Sequence, residues 1–213
     1  MDVFEKGQLI RQPKKLKLGK ILKLTYEPNE NRRKKVLKRF GYIYDTELST
    51  PEHIVGYSPF DKKLLYGVRG TELKSRGNAL ENKDLQTDIL LGAGGLKQSK
   101  RYDEERSTIL KAKKKYNEDK VVFVGHSLAG GLLNSMPEDV IPAKDAVYTY
   151  NAPILKPRKD ANNYHYRTSG DVFSVFNSDA KTLPNENQIS LRLGDYLLKS
   201  HQLENIADAP IFV

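Results

Sequence analysis

Hydrophobic residues fall into recognisable patterns along the chain, and each predicts a kind of element. Val121-Val122-Phe123-Val124 is an unbroken β-branched and aromatic run. Such a run suits a strand covered on both faces. Shorter runs at 54–58, 64–69, 146–150, 164–168 and 189–193 predict further strands. The first two fold back on each other about the turn Pro59-Phe60-Asp61-Lys62-Lys63, which makes 54–69 a hairpin. Between 99 and 117 the period becomes helical, with Tyr102, Ile109, Ala112 and Tyr116 on one face. A second helix runs from Leu128 to Met136 and is stopped by Pro137. Residues 71–87 are polar, and Leu91-Gly92-Ala93-Gly94-Gly95 is flexible punctuation. Strands alternating with helices predict an α/β domain, with a mostly parallel central sheet and helices on both faces. The 213 residues show no internal repeat and no long linker, so a single domain is expected.

Charge changes this picture at one end. Residues 1–40 hold 13 Lys and Arg against four Asp and Glu, while the remaining 173 hold 23 of each. The whole formal charge of +9 therefore sits in the first fifth of the chain. Residues 1–40 read as a basic N-terminal segment, helical and packed on a domain formed by 41–213. Within it, Leu18, Ile21, Leu22 and Thr25 line one helical face with lysines around them. Two readings follow. The apolar face covers the core and leaves the lysines in water, or the segment meets an anionic membrane surface. Nucleic acid is not expected, because no zinc finger, helix-turn-helix or aromatic RNA-binding pattern accompanies the charge.

Composition narrows the chemistry. The chain has no Cys, so disulfides, thiolate metal sites and a Cys nucleophile are excluded. No metal-binding or phosphate-cradling motif occurs, and no cofactor is expected. No apolar run approaches the roughly 18 residues of a membrane span, and residues 1–6 lack a signal-peptide pattern. An intracellular location, peripheral to a membrane at most, is the expectation.

One motif carries reactive chemistry. The run at 121–124 leads directly into Gly125-His126-Ser127-Leu128-Ala129-Gly130-Gly131, and a helix follows. A serine on a tight strand-to-helix turn needs small neighbours, because the backbone folds back against the strand. The turn lifts the hydroxyl out of the sheet and sets the Leu128 N–H beside an oxyanion. The alternative is a plain junction with Ser127 as a helix cap. A serine nucleophile needs a base, and the base needs an orienting carboxylate. Only His165 and His201 follow Ser127. His165 reads as mid-strand, whereas His201 lies beyond the last strand. Asp160, Asp171 and Asp179 fall between nucleophile and base. Asp171 follows a predicted strand and the turn Thr168-Ser169-Gly170, at the strand end where ligand chemistry collects in open α/β sheets. The preferred set is Ser127, Asp171 and His201.

These residues resemble the class 3, fungal lipase-like α/β-hydrolases, over about residues 35–205. Gly67-Val68-Arg69-Gly70-Thr71 is similar to the family's F-R-G-[S/T] signature, and Leu85-Gln86-Thr87-Asp88-Ile89 to its W-x-x-D-[L/I] segment. The elbow is similar to G-H-S-L-[A/G]-G, Tyr150-Asn151-Ala152-Pro153 to F-G-x-P, and Ser169-Gly170-Asp171-Val172 to the D-x-V segment. Ser200-His201 stands where the family's histidine stands. The chain departs at Val68, at Ala129, in having no Trp before Asp88, and in lacking an H-x-G-F segment.

The resemblance implies an α/β-hydrolase-type fold and a lipase-like domain over 41–213. Ser127, Asp171 and His201 would form its triad. Thr71, through backbone and hydroxyl, and Leu128, through backbone, would form the oxyanion hole. It also places a lid at about 71–87, which here is thin in apolar residues. The implied activity is hydrolysis of carboxylic esters of lipids, with a lipid or small ester as substrate. The rival expectation is a catalytically inactive lipid- or protein-binding module on the same scaffold.

Overall fold

The computed structural model describes residues 3–5, 8–10, 15–70, 95–117, 120–159, 162–169, 171, 174, 177–183, 203–206 and 210–213. A small antiparallel pair, β1 (Val3–Glu5) and β2 (Gln8–Ile10), comes first. Two helices follow, α1 (Leu18–Thr25) and α2 (Glu30–Arg39). The central sheet takes seven strands in chain order: β3 (Ile43–Tyr44), β4 (His53–Ser58), β5 (Lys63–Val68), β6 (Val121–His126), β7 (Ala146–Tyr150), β8 (Asn163–Thr168) and β9 (Lys181–Leu183). The pairings β3–β4 and β4–β5 are antiparallel, and the four from β5 to β9 are parallel. Helix α3 (Lys100–Tyr116) connects β5 to β6, and α4 (Leu128–Ser135) connects β6 to β7.

Alternation along the strands divides the core into two layers. Val121 and Phe123 of β6 join Leu64, Tyr66 and Val68 of β5 on the side covered by α3 and α4. Val122 and Val124 face the other way, onto Leu18, Ile21, Leu22 and Leu24 of α1 and Leu37 of α2. Every residue of β6 is buried, as the continuous hydrophobic run predicts. The expected hairpin, the helix over 99–117, the helix after Ser127 and the strands near 146–150 and 164–168 all form within two residues of their predicted ends. The strand expected at 189–193 and the lid segment 71–87 lie outside the described residues.

The apolar face of α1 is spent inside the protein. Leu18, Ile21, Leu22 and Thr25 are all fully buried against the sheet. A C-terminal segment seals the layer, with Leu18 N–H donating to Ile211 C=O and Val213 N–H to Leu16 C=O. This burial leaves the lysines of α1 on its outer side. An insertion of that face into a bilayer would uncover the core.

Helix ends follow their capping residues. Asn29 Oδ1 accepts from Arg32 N–H at the start of α2, and Ser99 Oγ from Tyr102 N–H at the start of α3. Asn117 ends α3 in the left-handed conformation. Among the described residues no helix is long and apolar enough to cross a membrane.

Candidate active site

Strand β6 ends at His126, and the next residue leaves regular geometry. Ser127 has φ 57° and ψ −133°, a region that side-chain-bearing residues avoid. Such a conformation costs about 1–3 kcal/mol and persists only where the surroundings impose it. The imposition is visible on both sides. Ser127 N–H still donates to Tyr150 C=O of β7 at 3.0 Å, while its own C=O accepts from Gly130 N–H at 2.9 Å and so begins α4. The chain passes from ladder to helix within one residue. That tightness forces small neighbours. A Cβ on Gly125 would lie 2.8 Å from the Gly130 nitrogen, and one on Gly130 would lie 2.5 Å from Ala152 Cβ.

Ser127 is not a capping serine. It occupies the N-cap position of α4, yet its side chain makes no capping hydrogen bond. Leu128 is the first helical residue, and a first-turn N–H has no acceptor within its own helix.

His126 is adjacent to Ser127 in sequence, but its ring is engaged elsewhere. Its Nδ1 is joined to the Tyr26 hydroxyl at 2.8 Å, and its ring stacks on Tyr150. Tyr26 immediately follows α1, so this bond ties the N-terminal helix to the elbow. The same hydroxyl lies against the chain leaving β5: a Cβ on Gly70 would meet it at 2.5 Å, the His126 carbonyl oxygen at 2.4 Å and Ser127 Cβ at 3.2 Å. The segment leading to residue 71 thus passes directly over the elbow. It is held from behind by Arg69 N–H donating to Glu52 C=O at 2.7 Å, and by the Arg101 guanidinium on the Arg69 carbonyl.

Asp171 lies in the loop after β8 and is buried, with 4% of its surface exposed. Its N–H donates to Thr168 C=O at 3.1 Å. One carboxylate oxygen, Oδ2, accepts from the Ser174 N–H at 2.9 Å and from the Ser174 hydroxyl. These bonds fix the carboxylate at the carboxyl end of the parallel strands, the end at which Ser127 sits. β6 and β8 are separated by β7 alone, a backbone distance of about 10 Å from two strand spacings.

Asn151 is a positioning residue to which the sequence pattern assigns no role. It follows β7 with φ 48°, a conformation asparagine tolerates better than most residues. Its N–H donates to Tyr166 C=O, its Oδ1 accepts from Thr168 N–H at 2.8 Å, and its Nδ2 donates to Thr168 Oγ1. The ends of β7 and β8, and with them the start of the Asp171 loop, are thereby set. Asparagine directly after a strand is the signal the sequence offers for it. Tyr26 offers none, being a hundred residues from its partner.

The remaining histidines are placed as follows. His165 is mid-strand, as expected, and buried, with Nδ1 joined to Thr149 Oγ1 at 2.8 Å. Burial lowers its pKa below the ordinary 6.5, and Asp179 pulls more weakly the other way. His53 begins β4 and is buried beside Glu105, its Nε2 donating to Leu48 C=O at 2.8 Å. Tyr66 donates to the other Glu105 oxygen at 2.6 Å, and burial together with that carboxylate holds its phenol well above the ordinary value. Neither histidine stands at the elbow. Thr71 and His201 lie outside the described residues. Among the described residues no group of three His, Asp or Glu side chains is placed to hold a metal ion.

No protein-family model matches the chain, and no curated protein matches it in sequence. Among solved structures, the chain is similar to the Lip2 lipase from Yarrowia lipolytica, at 19% identity and a TM-score of 0.40, over 62% of this chain and 59% of that one. It is also similar to the Rhizomucor miehei lipase in its propeptide complex, at 15% identity and a TM-score of 0.33, over 71% and 60% of the two chains. A triacylglycerol lipase from Penicillium expansum matches at 17% identity and a TM-score of 0.24, over 68% and 56%. The chain thus spans less than two thirds of the length of each of these lipases. Sheet order makes the fold a mostly parallel α/β fold, with a strained strand-to-helix turn after its central strand.

Proposed function

We propose that the protein is a serine hydrolase that cleaves carboxylic esters, of lipids or of smaller alcohols, through an acyl-enzyme on Ser127. The observation that supports it most is the backbone of Ser127, held at φ 57° and ψ −133° between strand and helix, where its side chain makes no capping bond. A fold that needed only a β-to-α junction would relax that strain.

In this reading Ser127 Oγ attacks the ester carbonyl while His201 takes its proton. Asp171, already fixed by Ser174, holds the imidazole tautomer and stabilises the imidazolium. The N–H of Leu128 and the backbone and hydroxyl of Thr71 receive the oxyanion, with the amino end of α4 behind them. The carbon–oxygen bond to the leaving group breaks, and the alcohol departs with the proton from His201. Water then attacks the acyl-serine, giving up its proton to His201 and releasing the acid and free Ser127. Ser127 is fully buried, so a substrate carbonyl reaches it only after local opening.

Covalent labelling with a fluorophosphonate, alongside turnover of a short p-nitrophenyl ester, tests the proposal. The folded chain should label at Ser127 alone, and Ser127→Ala should lose label and about 10⁴-fold or more in turnover. A folded chain that fails to label, or Ser127→Ala with unchanged turnover, would overturn it in favour of a binding module.

A further inference from the structure

Most of the basic charge of residues 15–40 is displayed on the outer sides of α1 and α2. Ten of these residues are Lys or Arg and two are Glu. With the inner face of α1 buried, Lys20 and Lys23 project into solvent. On α2, Arg33 and Leu37 point inward while Arg32, Lys35, Lys38 and Arg39 are exposed along the outer side. The two glutamates are engaged locally, Glu27 with Arg32 at 3.5 Å and Glu30 with Lys34 at 2.7 Å. Among the described residues no carboxylate lies within ion-pairing distance of Lys23, Lys35 or Arg39.

Helix α3 supplies an internal contrast. It is also rich in basic residues, but several of its cations are committed to the protein itself. Arg106 pairs with Asp139, Lys113 with Asp145, and Lys115 with Asp45 and Glu47. On α1 and α2, by contrast, Lys23, Lys35 and Arg39 make no ion pair among the described residues.

Apolar groups lie among these cations. Lys20 sits 5.5 Å over the Phe40 ring, Lys34 5.9 Å over Tyr44 and Lys15 5.9 Å over Phe212. Phe212 is 44% exposed and Ile43 is 39% exposed. Cations with aliphatic stems beside exposed aromatic and aliphatic groups match the headgroup region of a bilayer, where a polar tip and an apolar body are both accommodated. A purely phosphate-tracking nucleic-acid surface has no use for an exposed Ile43 and Phe212.

We infer that the outer faces of α1 and α2 dock the protein on an anionic phospholipid surface by headgroup attraction, without insertion of the buried face of α1. This rests on the ester-hydrolase reading for its purpose, because Tyr26, the residue after α1, bonds His126 beside Ser127. Docking through α1 and α2 brings that corner of the site to the lipid.

The test is co-sedimentation of the full chain carrying Ser127→Ala, so that no turnover disturbs binding. Vesicles of phosphatidylcholine alone are compared with vesicles holding 30 mol% phosphatidylserine (roughly the anionic fraction needed for a marked surface potential). Binding should require phosphatidylserine and weaken as salt rises. Each basic group near such a surface contributes about fivefold in affinity. The triple change Lys23→Gln, Lys35→Gln and Arg39→Gln should therefore weaken binding about 100-fold with an unchanged melting temperature. Lys111→Gln, Lys114→Gln and Lys120→Gln, an equal loss of charge at exposed positions elsewhere, should weaken it less than about fivefold.

Equal weakening by the two triples would overturn the inference, since net charge alone would then explain binding. So would full binding by the first triple, or binding of duplex DNA as tight as that of the vesicles. With Ser127 intact, the first triple should turn over a soluble ester within about twofold of the parent. A failure of the hydrolase proposal and a failure of docking therefore register in separate assays.

Discussion

Gly70→Ala examines the approach of the segment after β5 to the elbow. The added Cβ would stand 2.4 Å from the His126 carbonyl oxygen and 2.5 Å from the Tyr26 hydroxyl. Ordinary carbon–oxygen contact is about 3.3 Å, so one side must retreat by about 1 Å. His126 C=O belongs to the end of β6, which is paired in register with β5 and β7. Gly70 must therefore move, and the next residue in the chain, Thr71, is one of the proposed oxyanion donors. A displacement of about 1 Å at such a group costs about 100-fold in turnover. The crowding itself costs about 1–3 kcal/mol, which lowers the melting temperature by about 2–4 °C per kcal/mol in a chain of this size.

The assay is kcat/KM on a soluble p-nitrophenyl ester, with a thermal melt on the same sample. Tyr26→Phe in the Gly70→Ala background removes the hydroxyl contact and leaves the backbone one. It should recover no more than about threefold in rate. Gly70→Ala with parental kcat/KM and an unchanged melt would refute the packing of this segment against the elbow.

The strain at Ser127 predicts that Ser127→Gly is more stable than Ser127→Ala by about 1–2 kcal/mol, because only glycine relaxes at φ 57°; calorimetric melts that coincide would count against strain. Burial lowers the pKa of His165 in the folded chain below the ordinary 6.5. Its contribution to stability is complete above about pH 6.5 and is lost as pH falls through the folded value, because the unfolded chain takes up the proton first. Urea melts between pH 5 and 7.5 should show that loss flattened in His165→Gln, and an identical slope in the variant would refute it. Arg33 is buried and donates to the carbonyls of Thr25, Glu27, Thr50 and Pro51. Lysine cannot serve that spread, so Arg33→Lys should cost about 2–4 kcal/mol in chemical denaturation; a change below about 0.5 kcal/mol would show the carbonyls to be satisfied otherwise.

Elements with a local signature are legible in the amino-acid sequence alone. β6 announces itself because a strand covered on both sides must be apolar throughout. The hairpin of β4 and β5 shows in two short runs about a turn. The helical period of α3 places Tyr102, Ile109 and Ala112 inside, and they are buried, yet Glu105 occupies the same buried stripe. A glutamate at such a position is tolerated because His53 and Tyr66 bond it from 52 and 39 residues away. Nothing in a window of helical length reveals those partners. The two-residue β3 and three-residue β9 carry no signature of their own, since their strand character comes from pairing at the sheet edges rather than from composition.

The N-terminal segment shows the division most plainly. Amphipathic spacing determined that α1 would have one apolar face and one lysine face, and the same spacing served a bilayer or a protein core equally well. Only the sheet decided, by offering Leu65, Val122 and Val124 as the surface to be covered. Likewise, the order of small residues around Ser127 determined that a tight turn was sterically allowed. The pairing of its N–H with β7 and of its carbonyl with α4 decided that the turn would be strained and that its side chain would make no helix cap. Local pattern sets which conformations a segment can adopt at low cost. The choice among them is made by hydrogen-bond partners and apolar surfaces that are distant in the chain, and these exist only once the fold has closed.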